Sequence, residues 1–138
     1  MTTLELPYPP SVNHYLVPWR GRLILSQEAR RYRQLVRQCV RSADMQVAMG
    51  PLAVRLELCP PDRRRRDCDN SQKPILDALQ QAGAFVDDSQ IVWLLTTKGE
   101  IVPGGKAVVH IQPLTDGIPW EAVGFCNNCR TERTHERE

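Results

Sequence analysis

The stretch Pro60-Pro61-Asp62-Arg63-Arg64-Arg65-Arg66-Asp67-Cys68-Asp69-Asn70-Ser71-Gln72-Lys73 joins two segments of opposite periodicity. Before it, Leu52, Val54, Leu56 and Leu58 alternate with Ala53, Arg55, Glu57 and Cys59, the pattern of a strand. After it, Ile75, Leu76, Leu79 and Ala82 recur at helical spacing, and Gly83 fits the C-terminal position that needs a positive φ. Any of Asp69, Asn70 or Ser71 can cap this helix. Pro74 argues for a late start, because its missing N–H is harmless only in the first turn. The stretch therefore sits where a core strand leaves a sheet, a common location for sites in α/β folds.

Working outward, residues 2–6 alternate weakly and read as a short first strand, ended by Pro7, Pro9 and Pro10. Pro9 to Tyr15 reads as an ordered turn in which Ser11 or Asn13 bonds the local backbone, and Asn13 and Tyr15 are given a structural role. Arg20-Gly21-Arg22 reads as a hairpin tip from which Leu23, Ile24 and Leu25 return toward the core. Ser26 is the expected cap of a helix running to about Ala43, with Ala29, Tyr32, Val36, Cys39, Val40 and Ala43 on its apolar stripe. Arg30, Arg33, Arg37 and Arg41 repeat on another face, with no acids four residues on to pair with them. Downstream, Phe85 to Gln90 reads as a turn, residues 91–97 as a strand, Pro103-Gly104-Gly105 as a second turn, and Lys106 to Ile111 as the partner strand. After Leu114 the pattern fails. Residues 1–114 are expected to form one domain, and 115–138 a tail that is an appendage or is disordered. That tail carries Cys126-Asn127-Asn128-Cys129 with His135 beyond, half of a zinc site by ligand count or two free thiols.

The net charge of +2 conceals an uneven distribution. Residues 20–66 hold 12 arginines against 4 acids, while the remainder holds 6 basic residues against 12 acids. A basic half beside an acidic half suggests a polyanionic partner and a separate cation-binding region. The basic residues are mostly arginine, 15 against Lys73, Lys98 and Lys106, and arginine's planar fork matches phosphate oxygens. The 5 cysteines are odd in number with no secretory signal ahead of them, so a disulfide framework is not expected and the cytoplasm is. No apolar run approaches the roughly 18 residues of a membrane span.

Asp67 and Asp69, two apart on an extended segment, put both carboxylates on one side. Such a pair repels itself unless a cation compensates, and Mg²⁺ takes a few carboxylates together with water and substrate phosphate. Asp87 and Asp88 follow the helix that begins at the focal stretch. If that helix hairpins back, their turn comes within reach of Asp67 and Asp69 as a third carboxylate. Lys73, one turn beyond Asp69, is placed to contact the scissile phosphate or to orient the attacking water. Each feature has an ordinary reading of its own: Asp-x-Asp as a helix cap, Asp87-Asp88 as a turn, Arg63 to Arg66 as a solvated loop or a nucleic-acid patch without catalysis. Their joint occurrence within a short span, with Lys73 in register, favours a site.

The ordered set Pro61-Asp62-Arg63-Arg64-Arg65-Arg66-Asp67-Cys68-Asp69-Asn70, Gln72-Lys73, Asp77-Ala78-Leu79, Ala82-Gly83 and Asp87-Asp88-Ser89-Gln90 closely resembles the RusA family of Holliday-junction resolvases. Pro9-Pro10-Ser11-x-Asn13 resembles that family's N-terminal signature, and the resemblance covers roughly residues 4–112. It implies a mixed α/β (α+β) fold, a small single-layer mixed sheet packed against two main helices, in a homodimer. It also implies Mg²⁺-dependent resolution of four-way DNA junctions by paired symmetric nicks, and relatives carried by prophages. By motif position the essential carboxylates fall on Asp67, Asp69 and Asp88, which would hold the metal. The catalytic lysine falls on Lys73, and an arginine important for DNA on Arg66, within the run Arg63, Arg64, Arg65, Arg66. Asp87 is then a neighbour of the site, although the letters alone do not separate it from Asp88. Two departures stand out: Pro74 directly after the lysine, and the tail. The alternatives are a non-catalytic protein that binds structured DNA and a nuclease for flaps or forks.

Overall fold

The computed structural model describes residues 1–114; the tail and its Cys126, Cys129 and His135 lie outside the described residues. In chain order the elements are β1 (Thr2–Pro7), β2 (Leu16–Trp19), β3 (Arg22–Leu25), α1 (Gln27–Ser42), β4 (Leu52–Cys59), α2 (Asp69–Gln81), β5 (Ile91–Lys98) and β6 (Lys106–Pro113). Short 3₁₀ turns occupy Val12–His14 and Asp88–Gln90.

Four strands make one mixed sheet in the order β1-β6-β4-β5. β4 pairs with β5 in parallel and with β6 antiparallel, and β1 pairs antiparallel with β6. A parallel pair cannot be closed by a tight turn and needs a crossover, which α2 supplies. One face of the sheet is sealed by both helices. Tyr32, Val36 and Val40 of α1 and Ile75, Ala78 and Leu79 of α2 pack on Leu4, Leu6, Leu52, Val54, Leu56, Leu58, Ala107, Val109 and Ile111. Burying each large aliphatic side chain contributes roughly 1.5–3 kcal/mol, so this face dominates the stability of the fold.

The sequence expectation made β6 the partner of β5, and the sheet order corrects it. Residues 99–105 form a connection too long for a two-residue hairpin, and they cross the end of β4 before β6 begins. The Gly99 N–H donates to the Leu58 carbonyl (2.7 Å) and the Val102 N–H to the Pro60 carbonyl (2.9 Å). β6 is thereby seated on the far side of β4, between β4 and β1.

Two further expectations are corrected. β2 and β3 form their own two-stranded ribbon rather than returning Leu23 to the core, and Leu23 is 65% exposed. The turn between them places Arg20 and Gly21 at φ 47 and 77, a left-handed pair suited to a two-residue hairpin. α2 starts at Asp69, the early end of the range expected around Asp69 to Ser71, and not late as Pro74 argued. Its cap position is Cys68, which makes no side-chain cap bond, and Pro74 is carried inside the helix. Proline there removes one backbone bond, a loss offset by burying its ring in the core. α1 follows expectation: the Ser26 hydroxyl accepts from the Ala29 N–H at 3.1 Å. Gly83 closes α2 at φ 82. Phe85, read as turn, is one of the largest fully buried side chains and anchors the chain between α2 and β5.

Candidate active site

The exit of β4 is pinned from both sides. The 99–105 connection holds the carbonyls of Leu58 and Pro60, as above, and Gly105 lies against Tyr8 and Pro61, where a Cβ would come within 2.8 Å of the Tyr8 Cβ. The arginine run then folds around its own acid. Asp62 accepts from Arg66 Nη1 at 2.6 Å and from the Arg64 N–H at 2.9 Å. The Arg66 guanidinium also lies over the Tyr8 ring, 5.6 Å from its centroid. The hydrogen bond from Arg66, with that from the Arg64 backbone, holds the Asp62 carboxyl at about 2. Arg66 is thus half-buried and engaged in shaping the loop, whereas Arg63, Arg64 and Arg65 point into solvent.

Asp67 follows, exposed, on the rim of a shallow pocket shared with Tyr8, Arg64, Arg66 and Lys98. Asp69 is the first residue of α2 and is also exposed, at the helix end whose dipole favours negative charge. Neither carboxylate makes a hydrogen bond or ion pair among the described residues. Lys73 stands one turn on, its Nζ 3.2 Å from Asp77 Oδ2. The Tyr15 hydroxyl donates to the same oxygen at 2.9 Å, and Arg33 Nη2 donates to the Tyr15 hydroxyl at 2.7 Å. Tyr15 is therefore structural, as expected, and burial pushes its phenol up. Sequence reasoning missed Lys98 and Tyr8 as parts of this pocket. Lys98 arrives only because β5 runs parallel to β4, with Lys98 beside Leu58.

Asp88 is not brought to this place within one chain, which corrects the expectation of a helix hairpinning back. Because β4 and β5 are parallel, the segment leaving β4 and the segment entering β5 lie at opposite ends of the sheet. The 13 residues of α2 separate them by about 20 Å of helix. Among the described residues no three His, Cys, Asp or Glu side chains come together around one ion position. At the far end Asp87 and Asp88 differ. Asp87 caps the 3₁₀ turn, accepting from the Ser89 N–H at 2.8 Å, while Gln90 closes the box by accepting from the Asp87 N–H. The hydrogen bond from the Ser89 N–H, with those from the Ser89 and Asp88 side chains, holds the Asp87 carboxyl below its ordinary range. Gln90 also donates to the carbonyls of Ala48 and Gly50, fixing the turn to the chain ahead of β4. The neighbouring Asp88 is exposed, its N–H bonded to Gln80 Oε1.

Further arginines are exposed away from this loop. Arg30, Arg37 and Arg41 are exposed on α1 and form no ion pair among the described residues, while Arg33 is turned inward to Tyr15. At the hairpin tip the Arg20 guanidinium lies 4.3 Å from the centroid of the half-exposed Trp19 ring. No described helix is long and apolar enough to cross a membrane.

Comparison with known proteins gives a match to the family model described as endodeoxyribonuclease RusA over residues 7–112. The crossover junction endodeoxyribonuclease RusA of Shigella sonnei is 40% identical over 110 residues, covering 79% of this chain and 92% of that protein. The same figures hold for the protein of that name from Escherichia coli strain K12. The one from Enterobacteria phage 82 is 39% identical over 109 residues, covering 78% of this chain and 91% of its own length.

Proposed function

The chain belongs to the RusA family of endodeoxyribonucleases, and on that premise we propose how its residues divide the work of a crossover junction endodeoxyribonuclease, a hydrolase that resolves four-way DNA junctions. Asp67 and Asp69 supply two carboxylates to a divalent cation, Mg²⁺ by the hardness of an all-oxygen donor set. Asp88 of the partner subunit supplies the third, in a homodimer whose two sites are each shared between the chains. The observation that carries this reading is the pair of exposed carboxylates beyond the exit of β4, without a hydrogen bond or ion pair among the described residues, beside three outward arginines. Both acids are open to accept a cation, and the family motif adds Asp88 as the third.

A two-fold arrangement is what the chemistry asks for, since paired nicks in opposed strands need two equivalent sites. Strand β5 suits the role of contact. It is the sheet edge, paired only with β4 among the described residues, and it exposes Val92 and Leu94. Two copies meeting there antiparallel would bring the start of each β5, and Asp88, alongside the end of the other. When bound, the cation neutralises charge building on the phosphate and lowers the pKa of attacking water. Lys73 binds a phosphate oxygen and orients the scissile group. Arg63, Arg64 and Arg65 hold the flanking backbone, and Arg66 reaches DNA from a loop that it also shapes.

The test mixes subunits. Asp69→Asn and Asp88→Asn proteins, each purified alone, should be inactive on a labelled four-way junction with Mg²⁺ while still binding it. After subunit exchange, a shared site leaves one intact centre per mixed dimer, so single nicks return and paired resolution does not. No recovery after proven exchange would place all three acids in one chain and overturn the shared site. Flap and linear duplex substrates run alongside; preferential cutting of flaps would replace the junction as substrate.

A further inference from the structure

Lys73 lies between two acids on one stripe of α2, with Asp69 four residues before it and Asp77 four residues after. The local rule favours the earlier partner, because an acid N-terminal to a lysine at this spacing pairs better than the reverse. The structure shows the opposite choice. Lys73 Nζ is 3.2 Å from Asp77 Oδ2 and 3.3 Å from Oδ1, and among the described residues Asp69 has no cation against it. An exposed pair of this kind holds a lysine weakly on its own. Asp77 is a stronger anchor than that, since its side chain is only 18% exposed and its Oδ2 is fixed by the Tyr15 hydroxyl. That hydroxyl is oriented in turn by Arg33, whose Nη2 donates to it while its Nε is buried without a partner. Tyr15 and Arg33 belong to the N-terminal turn and to α1, so two separate parts of the fold converge to fix one carboxylate beside the lysine.

We infer that Asp77, locked by Tyr15 and Arg33, is a positioning residue that draws the Lys73 ammonium away from Asp69 and so leaves Asp69 open to a divalent cation. Resting on the proposed reading of Asp69 and Lys73, it gives the Arg33–Tyr15–Asp77 cluster a purpose beyond packing. Without Asp77 the lysine's nearest acid is Asp69, and a cation must then displace an ammonium to bind. With Asp77 the lysine is also confined to a small region of the α2 face before DNA arrives, which lessens the ordering left for the substrate to impose.

The experiment measures cation binding directly, by calorimetric titration of Mg²⁺ into the DNA-free protein, with thermal melting to establish that each variant is folded. Asp77→Asn should bind Mg²⁺ about three- to fivefold more weakly than the wild type. Tyr15→Phe, which keeps the Asp77 charge and loosens its anchor, should shift binding in the same direction by less. The decisive arm is the background Lys73→Ala, in which Asp77→Asn should leave Mg²⁺ affinity unchanged because no ammonium remains to compete. Unaltered Mg²⁺ binding by folded Asp77→Asn, or an equal loss in the Lys73→Ala background, would overturn the inference. Single-turnover cleavage distinguishes the two readings: if Lys73→Ala cleaves normally, the lysine's role at the phosphate fails, whereas the Mg²⁺ titrations judge Asp77 regardless.

Discussion

The two ends of α2 carry the same kind of letters and put them to different use. At the first end, the carboxylates of Asp67 and Asp69 are exposed and make no bond among the described residues, beside a loop whose shape is maintained by another acid, Asp62. At the far end, Asp87 does the shaping and Asp88 is left outward. In both places one aspartate is spent on shaping the local chain, Asp62 by Arg66 and the Arg64 N–H and Asp87 by the Ser89 N–H, while its neighbours face solvent. A count of acidic residues therefore overstates the ligands on offer, and the backbone N–H groups identify those already spent.

Substitutions can break this symmetry or sharpen it. The largest effect is expected from Asp88→Asn against Asp87→Ala, measured by single-turnover cleavage with Mg²⁺. Asp88→Asn should lose about a thousandfold in rate, the scale of several kcal/mol at the cation, with junction affinity retained. Asp87→Ala should instead cost about 1 kcal/mol of stability as a lost cap and change the rate only a few-fold. A reversed order would exchange the roles of the two acids. At the other end, Arg65→Ala should weaken junction binding several-fold at low salt and lower the salt-dependence slope by about 1, with no change in fold.

The smallest effect is a titration. The Asp62 carboxyl is depressed to about 2 from an ordinary 3.8. Its pair with Arg66 is therefore fully present above pH 3.8 and is lost as the pH falls through about 2. Carboxyl NMR should show that midpoint, and Arg66→Ala should return it toward 3.8. Because Asp62 is exposed, global stability should hardly register the change.

Much of this molecule was legible in its letters, where the causes are local. Ser26 capped α1 because a short hydroxyl reaches the N–H three residues on. Gly83 ended α2 because only glycine takes that φ without strain. The ordered motif from Pro61 to Gln90 pointed to the family that the comparisons bear out. Legibility failed where the cause was remote. Leu23 looked like core because a short apolar run marks a segment for burial without saying what will cover it. Phe85 looked like turn because its burial depends on α2 and the segment near Ala48 closing over it.

The sequence by itself determined the elements, the arginine loop, the candidate acids and the lysine, because propensity, capping and residue chemistry act over a few positions. That β5 lies parallel to β4 and that β6 crosses to the other side are properties of the assembled sheet. Strand direction is set by which faces bury most apolar area and by where the crossover helix can pack, and no local stretch encodes either. That one choice carries Asp88 to the opposite end of α2 from Asp69, and it is why one chain alone does not gather the three acids.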